Sequence, residues 1–354
     1  MFQGIHEILI FSGFLFFIFL MLALDLGVFN KKSHVPKFRE ALSWTAVWVG
    51  ISILFYLLIR FFGHELHDIN DIEGIRTNII KFHHPITIDG LSFQDAIALY
   101  NRNLSLEYLT GYLIEYSLSV DNIFVIIMIF MSFKVQPRYY HKVLFWGILG
   151  AIVMRFIFIF AASALIQRFE WVLYIFGGFL ILIGAKMGYE FFTKDDEDKI
   201  DPNNHVLVRM ISRFFPVAKG DTGSQFWIRE NGKFYITPLL IVLIMIEFFD
   251  VIFAVDSVPA VFSVTRDPFI VFFSNIFAIL GLRSLFFVVN NVIDLFHYLK
   301  LGLALLLTYV GGKMIFQLAL DLHISSRVSL GIIIGILGFF VILSLIFPKK
   351  TEVA

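Results

Sequence analysis

The sequence predicts an all-α polytopic membrane protein of about nine transmembrane helices, six of them forming an inverted 3+3 helix repeat. Three observations carry this. The 354-residue chain is 58% apolar with a mean hydropathy of +0.83, against ~45–50% apolar in average soluble chains. Apolar runs of about twenty residues, the length that crosses a hydrocarbon core, recur along it. One pattern is also written twice: Glu115-Tyr-Ser-Leu-Ser-Val-Asp121-Asn122 lies 135 residues before Asp250-Val-Ile-Phe-Ala-Val-Asp256-Ser257.

The elements follow in order. Residues 1–62 hold two spans, roughly 8–29 and 41–62. The N-terminus lacks a basic region, and no small-x-small site follows the first apolar run, so the first helix reads as retained. Residues 63–107 read as a long, mildly acidic extracytoplasmic loop carrying His64, His67, His83 and His84. Residues 108–192 form the first three-helix repeat, with spans at 108–133, 142–168 and 171–192. Residues 193–235 are a cytoplasmic loop that opens on the charge run Asp195 to Asp198. Within it, Val206 to Val217 is a basic amphipathic stretch suited to a membrane surface. Phe226 to Ile236 alternates on both sides of Asn231-Gly232, a hairpin signal. Residues 236–320 form the second repeat, with spans at 236–262, 269–290 and 299–320; residues 321–354 hold the last span, 329–347, and the tail. The 44 Phe read as lipid-facing bulk.

The repeat extends beyond the acids. Arg155 follows Asp121 by 34 residues and Arg283 follows Asp256 by 27; Gly184-Ala-Lys186-Met187 is echoed by Gly311-Gly-Lys313-Met314. Basic residues concentrate after spans 1, 3, 5 and 9, so the positive-inside rule predicts an external N-terminus and a cytoplasmic C-terminus. Three spans per unit then force the second unit to be inverted, a common transporter plan with its site near the midplane.

The chemistry lies in the charges within these spans. The acids are Asp25, Glu115, Asp121, Glu247, Asp250 and Asp256; the bases are Arg155, Lys186, Arg283 and Lys313. Each charge left unpaired at the bilayer centre costs ~2.5–3.5 kcal/mol on the insertion scale, so these groups pair, face water or hold an ion. Six acids against four bases leave two negative charges, which one divalent cation would balance. Carboxylates with Asn122 and Ser257 are hard oxygen donors, suited to Mg²⁺, Ca²⁺ or Mn²⁺. Arg155 and Arg283 read as charge balancers, and Lys186 and Lys313 as charge balancers or snorkelling side chains. The four histidines of the 63–107 loop are weak candidates for metal capture. Six residues turn an ideal helix through about 600°, so Glu115 and Asp121 do not share a face, nor do Asp250 and Asp256. Pro259 removes the hydrogen bond to the Val255 carbonyl, freeing an oxygen beside Asp256. The chain has no Cys, which excludes disulfides and thiolate chemistry. Zero net charge gives no sign of nucleic acid, and no soluble-enzyme motif occurs, so the protein reads as not an enzyme.

At these residues the chain resembles the TerC family of integral membrane proteins, including the Alx type. The resemblance rests on Ala23-Leu-Asp25-Leu-Gly-Val-Phe29, the two acid motifs, the latter running from Glu247 through Pro259, and Gly281-Leu-Arg283. It implies a bacterial inner-membrane protein of metal-ion homeostasis, similar to LysE-type exporters, with Mn²⁺ as transported substrate and no permanently bound cofactor. The metal set it implies is Asp25, Glu115, Asp121, Asn122, Glu247, Asp250, Asp256 and Ser257. Exchange with protons at the carboxylates would supply the coupling. The rival class is an assembly or metalation factor that acts on membrane-protein partners without net transport.

Overall fold

The computed structural model describes residues 5–29, 36–169, 171–193, 215–218, 223–230, 233–292, 298–320 and 326–347. Among them the fold is helical apart from one small hairpin. The helices are α1 (Ile5–Phe29), α2 (Phe38–Phe62), α3 (Ile72–Phe82), α4 (Phe93–Ser132), α5 (Tyr140–Arg168) and α6 (Val172–Thr193). After the hairpin β1 (Trp227–Glu230) and β2 (Lys233–Ile236) come α7 (Pro238–Phe262), α8 (Pro268–Leu280), α9 (Leu282–Val292), α10 (Leu299–Leu320) and α11 (Ser326–Ile346). Among the described residues seven helices are long and apolar enough to cross a membrane, or eight if the pair α8–α9, bent by 47°, is taken as one span. The described apolar stretch of α1, Leu9–Leu22, is shorter.

The helix α8 lies at the centre. Every one of its residues from Pro268 to Leu280 is buried, as expected of a helix apolar all round. Phe11 and Phe14 of α1 and Phe55 of α2 pack on Phe272, Phe273 and Phe277 of α8, with ring centroids 4.3–6.2 Å apart. The reading of Phe as lipid-facing bulk is therefore corrected. Phe16 and Phe61 are exposed, but Phe272, Phe273, Phe277, Phe286 and Phe287 are core. Composition cannot separate these two uses, because lipid and protein interior are both apolar.

Helices of the two predicted repeat units pack across one another. First helix meets first helix (α4 on α7), third meets third (α6 on α10), and each first or second helix crosses to the other unit (α4 on α8, α5 on α7, α5 on α8). The α6–α10 crossing is backbone-tight. A Cβ on Gly311 would lie 2.5 Å from the Gly177 carbonyl oxygen, and one on Gly184 would lie 2.6 Å from the Ala304 carbonyl oxygen. Moving seven residues forward on α6 moves seven back on α10, so the helices cross antiparallel. Gly177 and Ala304, like Gly184 and Gly311, are 127 residues apart in sequence. Glycine lets helix backbones approach this closely in a membrane.

The 63–107 segment is also corrected. It is a folded cap, not a plain loop. Gly63–His67 forms a 3₁₀ turn, α3 follows, and α4 begins at Phe93 rather than near 108. Ser92 caps α4: its Oγ accepts from the Asp95 N–H at 3.2 Å and donates to Asp95 Oδ2 at 2.6 Å. At about 1.5 Å per residue, the 40 residues of α4 exceed the ~30 Å hydrocarbon core. Its first turns belong to the cap. The hairpin pairs as expected, with Trp227 opposite Ile236 and Glu230 opposite Lys233. The charge run from Asp195 and most of the amphipathic stretch from Val206 lie outside the described residues.

Candidate functional site

Helices α4, α5, α7 and α8 converge on one buried guanidinium. Arg155 of α5 is 1% exposed. It donates to Glu115 of α4, to Ser257 Oγ of α7 at 3.1 Å and to the Asn275 side-chain oxygen of α8. It also pairs with Asp250 of α7 at 3.5 Å. Local sequence explains the meeting. Gly111, one turn before Glu115, brings α4 so close to α8 that a Cβ there would lie 2.8 Å from Ser274 Oγ. Ser274 neighbours Asn275. Thus the first unit's arginine is held by acids of both units and by a serine and an amide of the second.

This cluster is not saturated. Glu115 Oε2 and Asp250 Oδ2 are buried without a hydrogen-bond partner. Asp250 and Asn122 line a small cleft of about 20 Å³ with Leu144, Gly147 and Phe249. About one probe sphere, 10–15 Å³, is what a single water needs, so the cleft admits a water or one dehydrated ion. Among the described side chains, two acids face one arginine.

Of the predicted ligands, the structure gathers Glu115, Asp250 and Ser257 around Arg155, with Asn122 on the adjoining cleft. Glu247 sits one turn before Asp250 but lines a separate apolar groove of about 600 Å³ between α5 and α7, beside Trp146 and Met154. Gly150 leaves room there for its carboxylate. The side chains of Asp25, Asp121 and Asp256 lie outside the described residues, although α1, α4 and α7 run through those positions. Among the described residues no three of the His, Asp and Glu side chains stand close enough to hold a metal ion. Pro259 lies within α7, which continues to Phe262.

The predicted bases divide. Arg283, at the α8–α9 bend, donates to His141 Nδ1 from two nitrogens, at 2.9 and 3.2 Å. Lys186 is exposed, whereas Lys313 is 7% exposed and within electrostatic reach of Glu107. That corrects the snorkelling alternative for Lys313, since a snorkelling head group would reach water and this one is buried.

Several polar residues escaped the sequence reading. Asn275 sat in the middle of an apolar run and looked incidental. Glu107 fell one residue before the expected start of its span. Asp267 immediately precedes Pro268, which is the signal of a helix cap. It does cap α8, accepting from the Phe269 N–H at 2.9 Å. Both acids pair with cap histidines: His67 with Asp267 at 2.8 Å and His84 with Glu107 at 2.9 Å, all four side chains nearly fully buried. Burial alone would raise the Asp267 carboxyl, but the charge and hydrogen bond of His67, with His84 nearby, hold it below the usual carboxylate range.

The description "Integral membrane protein TerC family" belongs to the family model that matches residues 100–352. Relatives match along nearly the whole chain. One is an "Uncharacterized membrane protein STKORF319" of Myxococcus xanthus, 43% identical over 95% of this chain and 91% of its own. Two others carry the name "Putative membrane-bound redox modulator Alx": from Salmonella typhi, 40% identical over 95% and 94%, and from Escherichia coli K12, 41% identical over 93% and 92%. No solved structure matches. The chain belongs to the TerC family.

Proposed function

We propose that this TerC-family membrane protein is a transporter that exports a hard divalent cation, Mn²⁺ foremost, in exchange for protons. The reading places it in a bacterial inner membrane with the cap outside and both the 193–235 loop and the C-terminus in the cytoplasm. The observation that carries it is the buried Glu115–Arg155–Asp250 cluster. Its described side chains set two acids against one arginine and leave two carboxyl oxygens without partners, beside a cleft of about 20 Å³. A structural ion-pair network would be expected to satisfy those oxygens, since leaving them bare costs about 1–3 kcal/mol each or more. A site that alternately takes a cation and a proton keeps them available. Asp121 and Asp256, which precede Asn122 and Ser257, are the further ligands this reading assigns. The redox modulation in the relatives' name cannot run through thiols here, because the chain has no Cys.

The test is Mn²⁺ flux in proteoliposomes of the purified protein. The parent is expected to move Mn²⁺ down an imposed opposing pH gradient. Asp250→Asn, Asp121→Asn and Asp256→Asn should insert normally and lose most flux, because charge count tunes such sites. Absence of flux from a well-folded parent would favour the assembly-factor class instead.

A further inference from the structure

A second polar network lies apart from the Arg155 cluster, under the cap. Its parts come from five places in the chain: His67 of the 3₁₀ turn, His84 after α3, Tyr100 and Glu107 of α4, Asp267 at the head of α8, and Lys313 of α10. The pairs His67–Asp267 and His84–Glu107 are 2.8 and 2.9 Å long. Asn103 donates to the same Glu107 oxygen at 2.6 Å. Tyr100 stands edge-on to His84 with centroids 5.5 Å apart, and it senses both Asp267 and Glu107 electrostatically. Lys313 senses Glu107 in turn.

Three atoms of this network are buried without a hydrogen-bond partner: His84 Nε2, Glu107 Oε2 and the Tyr100 hydroxyl. One such orphan is a minor cost, but three in one cluster need an occupant that both donates and accepts. No three of the described His, Asp and Glu side chains converge on a metal ion. What fits is water and the protons it carries. Chains of acids, histidines and water are the usual proton relays of transporters.

We propose that His67, Asp267, Tyr100, His84, Glu107 and Lys313 form the proton path between the cap surface and the helix bundle. A proton taken up on His84 Nε2 is matched by loss of the Nδ1 proton to Glu107. Glu107 receives it on Oε1; rotation of the neutral carboxyl then releases it to water, and the ammonium of Lys313 favours the return of the carboxylate. The titratable groups facing His84 are Glu107 and Tyr100 of α4, with Asp267 beyond; those facing Glu107 are His84, Tyr100 and Lys313. This assignment rests on the proton-exchange reading of the central acids.

The experiment separates the two claims. In proteoliposomes, Mn²⁺ movement driven by a pH gradient is compared with ⁵⁴Mn²⁺–Mn²⁺ self-exchange at equal pH, which needs no net proton transfer. Glu107→Gln and His84→Gln are expected to lower the pH-driven flux by at least about tenfold and to leave self-exchange within about twofold, in the range for lost proton-transfer groups. Glu107→Asp should recover part of the flux. Tyr100→Phe removes only a hydroxyl and tests the path if the glutamine variants misfold: its pH-driven flux should fall and its self-exchange should not. Equal loss in both assays, or no loss in either, overturns the relay. A parent that does neither removes the transport reading itself, and the relay with it.

Discussion

The two arginines that the repeat pattern marks as equivalents live differently. Arg155 sits at the centre of the bundle, sharing one guanidinium among Glu115, Asp250, Ser257 and Asn275. Arg283 stands at a helix bend and holds His141 at the start of α5. The lysines diverge in the opposite sense: Lys186 of the first unit is exposed and Lys313 of the second is buried near Glu107. A duplicated pattern therefore fixes where charges fall along each unit but not what surrounds them. The cap makes the difference. It covers one end of the bundle and brings His84 against Glu107, and no equivalent stands among the described residues before the second unit.

The largest effect should come from the arginine hub. Arg155→Met leaves Glu115 and Asp250 buried without their cation, which typically costs about 3–5 kcal/mol. Thermal unfolding in detergent should show this as a large fall in Tm. The described partner lost in Arg283→Met is His141, which can remain neutral, so loss of that pair should cost less. Combining Arg155→Met with Glu115→Met should recover part of the loss. Equal destabilisation by the two arginine variants would abolish the contrast between the units.

These contrasts mark what the sequence could and could not disclose. The charged landmarks and the hairpin follow from spacing and composition, since apolar periodicity and turn residues act locally; the packing of third helix on third helix is seen only in the structure. The Arg155 cluster was legible as a set of residue types, and Glu115, Asp250 and Ser257 do meet there. The role of Asn275 was hidden, because one amide in an apolar run gives no signal until its neighbour across the bundle is known. Glu247 carries the same chemistry as Asp250, yet three residues of helix rotation aim it at a different groove. The cap network was missed for a different reason. Residues 63–107 read as a loop outside the bundle, whereas His67, His84 and Glu107 are buried in partnership with one another or with Asp267.

The next effect in size concerns the lysines. Lys313→Met removes a buried cation from beside Glu107 and should cost about 1–3 kcal/mol. Lys186→Met should stay within about 0.5 kcal/mol, as surface changes do. Chemical denaturation of both variants checks the pair; comparable losses would mean that Lys186 also has a buried partner.

The glycine crossing tests what the units share. Gly184→Ala and Gly311→Ala each press a methyl group onto the facing backbone and should destabilise by similar amounts, about 1–3 kcal/mol. Gly178→Ala and Gly312→Ala meet nothing within 4 Å and should be neutral. A wide gap between Gly184→Ala and Gly311→Ala would count against a local twofold at this crossing.

The smallest effect appears only in acid, where it separates the connections within the two units. Asp267 lies sixteen residues before Arg283, and Tyr139 lies sixteen before Arg155. Asp267 caps its helix and grips His67 of the cap; Tyr139 supplies no side-chain cap. Because the folded Asp267 carboxyl titrates below its ordinary value, it stabilises the fold above an ordinary Asp pKa of about 3.9. That contribution is lost as pH falls through the lowered folded value. The protection of segment 63–92 against hydrogen exchange, relative to the intrinsic rate at each pH, should therefore hold steady from neutral pH down to about 4 and fall below it. Segment 133–139 has no carboxylate at its helix start and should show no matching step. Asp267→Asn keeps the shape but removes the titrating group, so its exchange should be faster at neutral pH and should lack the acid step. An acid step of the same size in Asp267→Asn would assign the attachment of the cap to other groups and remove the contrast between the two connections.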